Sequence, residues 1–140
     1  RTVCRRAPRS VLLVRPVLVD MHRALVFTRN RLDDGHHPGH IGTDEDQTAF
    51  GVGYLLRRID KVREHVPAFA SLGSAAHVTQ TAFRWLDRLH GDLTDYYDQV
   101  DDSDPDDGPD YSRPRFSATR AMIETAESAM REAIVEIDAL

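Results

Sequence analysis

A chain of 140 residues with a formal charge of −5 has single-domain length and can bury roughly 65 to 70% of its unfolded surface around one core. Its acidic balance argues against polyanion partners such as nucleic acid, and no run reaches the ~20 apolar residues of a membrane-spanning helix. The single cysteine, Cys4, excludes an internal disulfide and a cysteine-based zinc site, while the near-total use of arginine over lysine (Lys61 alone) points to a GC-rich bacterial coding sequence.

Residues 1–19 are basic up to Ser10 and apolar from Val11 to Val19, interrupted by Arg15 and Pro16. With no small-x-small site after the apolar run, this is not the pattern of a cleaved export signal. The segment reads as an N-terminal extension, flexible or foreign to the mature protein, with Met21 a natural start and one domain over 20–140. A cytoplasmic location is expected, with secretion without a cleaved signal as the alternative.

Residues 20–32 read as a short helix capped by Asp20, with Met21, Leu25 and Leu32 at heptad spacing, or else as a strand through the β-rich run Ala24 to Thr28. The Gly-rich loop that follows holds His36, His37 and His40. Three imidazoles without a fourth ligand or a rigid frame read as a solvated loop rather than a zinc site.

The first long helix is expected over about 44–66. Val52, Leu55, Ile59, Val62, Val66 and Phe69 recur at three and four residues, Thr43 or Asp44 can cap the start, and Pro67 stops it. Gly51 and Gly53 each cost about 1 kcal/mol relative to Ala in a helix, which moves the firm start toward Tyr54. The second long helix, about 74–100, is capped by Ser74 and carries Ala82, Leu86, Leu89, Leu93, Tyr96 and Val100 on one stripe, with Phe83 and Trp85 widening it. Gly91 followed by Asp92 predicts a kink or brief break.

An acidic linker spans 101–116. Asp102, Asp104 and Asp106 alternate as in a calcium loop, but the glycine is one position late at Gly108 and Arg113 stands where the bidentate glutamate belongs. Ser117 then caps a third long helix, about 117–139, on which Ile123, Ala126, Met130, Ala133, Ile137 and Leu140 alternate at three and four. A lone helix leaves such a stripe in water, so the three must pack side by side: the fold class is all-α, an antiparallel bundle. The small Ala126 and Ala133 thin the third seam, which calls for a close partner helix or completion by the N-terminal segment.

Asp92-x-x-Asp95 and Glu124-x-x-Glu127 place two acidic pairs at comparable depth on neighbouring helices, a candidate Mg²⁺ site. The arrangement resembles that of the all-α nucleoside triphosphate pyrophosphohydrolases, and the resemblance implies a Mg-dependent enzyme. Asp87-x-x-His90 is half of a di-iron motif without its second copy. Leu72-Gly73, Phe83, Trp85 and the ending Tyr97-x-x-x-Asp101 resemble the helical-hairpin substrates of type VII secretion, which implies export. The aromatic residues Phe83, Trp85, Tyr96 and Tyr97 fall at core spacing, and no basic patch accompanies them for base stacking.

No nucleophile with a base and no phosphate loop is present. The reading is therefore a non-enzymatic helical bundle acting by association, as a homodimer or a small assembly subunit, with no cofactor and no nucleic-acid or membrane partner. Its expected contact surface is on the third helix around Met130, Ile134 and Ile137.

Overall fold

The structure, a computed structural model, describes residues 9–33, 52–102 and 114–140. In chain order the helices are α1 (Arg9–Asp33), α2 (Val52–Glu64), the single turn α3 (Val66–Phe69), α4 (Ala76–Asp102) and α5 (Pro114–Asp138), with a 3₁₀ turn at Gly73–Ala75. No strand occurs among the described residues.

Four rods form a closed ring in which α1 packs on α2 and α5, and α4 packs on the same two helices. Ion pairs give the directions. Along α1 and α5, Arg15 meets Asp138, Arg29 meets Glu127 and Asp33 meets Arg120, so the chains run oppositely. Between α2 and α4, Asp60 meets His90 and Arg63 meets Asp87 in the same antiparallel sense. At the start of α1, Ser10 Oγ donates to the Ser71 carbonyl at 3.1 Å, while further along Asp20 pairs with Arg58. The all-α antiparallel bundle is present, and it has four members rather than three.

The fourth member corrects the reading of the N-terminal region. Residues 9–19 are not an appendage but the first half of a 25-residue helix; the helix expected over 20–32 is present as its second half, and the strand alternative is not. Val11, Val14, Leu18, Met21 and Leu25 are buried at intervals of three and four. Burying five such side chains contributes several times the roughly 3 kcal/mol that an internal proline costs, and Pro16 lies on the exposed side of the helix. Asp20 is mid-helix and does not cap. Thr28 Oγ1 donates to the Ala24 carbonyl at 2.8 Å, which lets a β-branched residue satisfy itself inside the helix. This rod also explains the thin seam of α5, because α1 packs directly against Ala126 and Ala133's helix.

The other seams behave as their spacing predicts. Leu55, Ile59, Val62 and Phe69 are buried from the α2–α3 region, Ala82, Leu86, Leu89 and Leu93 from α4, and Ile123, Ala126, Met130, Ala133 and Ile137 from α5. Val66 is only partly buried, and Leu140, beyond the end of α5, is 51% exposed; the side chains of Val52, Tyr96 and Val100 lie outside the described ones. Several boundaries differ. Pro67 lies in the first turn of α3 instead of simply ending α2, and Ser74 sits inside the 3₁₀ turn. That turn opens on Gly73 at φ +60°, a conformation glycine adopts without a Cβ penalty. Pro114, not Ser117, begins α5, as suits a residue whose missing N–H is not needed in the first turn. The expected linker loses residues at both ends to helix, and α4 passes through Gly91 unbroken. The cap pair Thr43 and Asp44, the His36/His37/His40 loop and the calcium-like positions Asp104 and Asp106 lie outside the described residues.

Candidate functional site

The four acids expected to share a metal are dispersed. Asp92 on α4 accepts a hydrogen bond from Thr119 Oγ1 of α5 at 2.5 Å, joining those two helices. Asp95 is exposed, and Glu124 is half-exposed with Arg120 Nε 3.7 Å away. Glu127 faces α1. A spacing of three put each pair on one side of its helix, but Asp92 is engaged by Thr119 and Glu127 by Arg29. No cluster of three or more metal-ligating side chains exists among the described residues. Asp87 and His90 are likewise used for packing, joined to Arg63 at 2.7 Å and Asp60 at 3.2 Å on α2. The side chains of Tyr96, Tyr97 and Asp101 lie outside the described ones.

Glu127 instead anchors a buried charged cluster in the α1–α5 seam. It is 2% exposed, with Arg29 Nη1 2.9 Å from Oε2 and Arg131 Nη2 donating to Oε1 at 3.0 Å. The Arg29 contact is an ion pair without hydrogen-bond geometry, so Glu127 Oε2, Arg29 Nε and the nearby His22 Nε2 are buried without a hydrogen-bond partner. Burial pushes the His22 imidazole below its ordinary pKa of 6.5; Glu127 opposes this, and the cations Arg131 and Arg29 add to it. A carboxylate between two guanidinium groups can fix the pairing of two helices, since any other register strands a buried charge. Sequence reading missed this cluster, although His22 and Arg29, seven residues apart, signal one polar stripe on α1.

Of the residues expected at a contact surface, Met130 and Ile137 are buried inside the chain's own core and Ile134 packs partly against it. Those side chains are used by the bundle itself, because α1 covers the seam that the sequence left open. The large apolar side chains that do face solvent are Leu12 (64% exposed), Leu13, Val135 (59%), Leu140 and, at the other end of α1, Phe27. As α1 begins where α5 ends, the first four gather at one end of the bundle. In comparisons with known protein families, curated proteins and solved structures, the chain matches none.

No described helix is long and apolar enough to cross a membrane.

Proposed function

We propose that this protein acts by association, as a non-enzymatic helical-bundle subunit whose apolar end docks a second copy of the same chain. The observation that carries the reading is the gathering of Leu12, Leu13, Val135 and Leu140 at one end, each about half exposed or more. Scattered apolar residues on a surface are ordinary, but contiguous ones rimmed by charge mark contact sites. The Arg15–Asp138 ion pair, whose atoms approach to 2.6 Å, lies at the same end. A second copy is the simplest occupant, because a two-fold contact sets the same patch against itself and requires no further component.

Light scattering across micromolar concentrations tests this. A mass that rises from one chain to two, and stays at one in Leu12→Glu/Val135→Glu, is the expected result. A strict monomer throughout removes the reading.

A further inference from the structure

We propose that the groove between α1 and α2 binds a small organic phosphate, with Arg23 and Lys61 as its principal contacts. The groove encloses about 490 Å³, within the range of small-molecule sites. Four cations line it, Arg15 and Arg23 from α1 and Arg58 and Lys61 from α2, against the single carboxylate of Asp20. Pro16, Val17 and Val19 supply an apolar wall.

The overall charge of −5 conceals this site, because the charge is segregated in space. By sequence, α1 carries five arginines against two aspartates and α2 four cations against two acids. In contrast, α4 has two arginines against six aspartates, and α5 three arginines against five acids. Since α1 packs on α2 and α4 on α5, one half of the bundle is positive and the other negative. An anion approaching the α1–α2 side meets a favourable field although the whole molecule is acidic.

Within the groove the cations divide into two kinds. Arg58 is held by Asp20 and by the face of the Tyr54 ring, 4.9 Å from its centroid, and Arg15 is held by Asp138. Arg23 and Lys61 have no acidic partner among the described residues and stand on opposite helices of the groove. Two ordered guanidinium groups beside two uncommitted cations suit an anion of charge −2 or more with several acceptor oxygens, which a phosphate group supplies and a lone carboxylate does not. The apolar wall suits an organic body attached to it. A nucleic-acid strand would need a longer basic track than one groove, and it would meet the acidic half of the bundle.

Isothermal titration at low ionic strength, with pyrophosphate and ATP as probes, tests the site in the full chain. One-to-one saturable binding is expected, weakened at least about tenfold in Arg23→Ala/Lys61→Ala and unchanged in Arg84→Ala/Arg88→Ala, which removes cations from the outer face of α4. Both altered groove side chains are exposed, and circular dichroism checks that the variant remains helical. The proposal is overturned by absence of saturable heat from either probe up to about 10 mM, or by equal binding in the groove double variant. Binding of an aspartate-rich peptide, with neither phosphate probe bound, also overturns it and assigns the groove to an acidic protein.

Discussion

Replacing Glu127 by glutamine keeps the shape of the side chain and removes the charge that Arg29 and Arg131 share. Breaking a fully buried ion pair by deleting one partner costs about 3–5 kcal/mol. The two arginines here are 31% and 60% exposed, so both regain water in part once the carboxylate is gone, and Arg131 regains most of it. The expected loss is therefore reduced to roughly 1–3 kcal/mol, a fall in melting temperature of about 3–10 °C for a chain of this length. Urea unfolding followed by far-ultraviolet circular dichroism reads it as a lower midpoint at constant slope. Arg29→Met/Glu127→Leu removes both charges and fills the seam, and this double variant should return to within about 1 kcal/mol of the parent. Glu127→Gln unfolding at the parental midpoint would refute the argument, because the carboxylate would then not be what holds the two arginines in place.

Three further outcomes are expected. The His22 pKa is lowered mainly by burial, so the unfolded chain binds the proton more tightly than the folded one; the resulting stability is complete above about pH 6.5 and is lost as pH falls through the folded value. Melting temperatures measured from pH 7.5 down to 5 should thus decline more steeply in the parent than in His22→Leu, and parallel profiles would exclude this histidine as the cause. Gly91 is exposed within α4 and a Cβ there meets nothing within 4 Å, so Gly91→Ala should raise stability by about 1 kcal/mol in thermal or urea unfolding. Phe69 is fully buried at 6.3 Å, edge to face, from Phe83, and Phe69→Ala should cost about 3–5 kcal/mol by the same measurements.

Helical periodicity in a chain reports which side of each element must leave water, and this much could be read directly. Ile59, Leu89 and Ile123 were expected inside and are inside, because an apolar stripe needs only some partner for burial to be favourable. The thin seam at Ala126 and Ala133 even announced a missing neighbour. That neighbour was misread because Arg15 and Pro16 look like breakers when the helix is considered alone, whereas five buried side chains outweigh them once α5 is beside it.

Placement between helices is a different matter. Asp92, Asp95, Glu124 and Glu127 have the right spacing within each helix, yet the rotation of α4 and α5 about their own axes decides whether the pairs meet, and local sequence does not encode that angle. The rotation of α5 also turns Glu127 toward Arg29 and buries Met130 and Ile137, and that of α1 and α2 sets Arg23 and Lys61 on the two sides of a groove. The sequence by itself determined that the chain is helical and which faces are apolar, since both follow from contacts a few residues apart. Only the tertiary structure decided which charges become neighbours, because that depends on how four separately adequate stripes share one core.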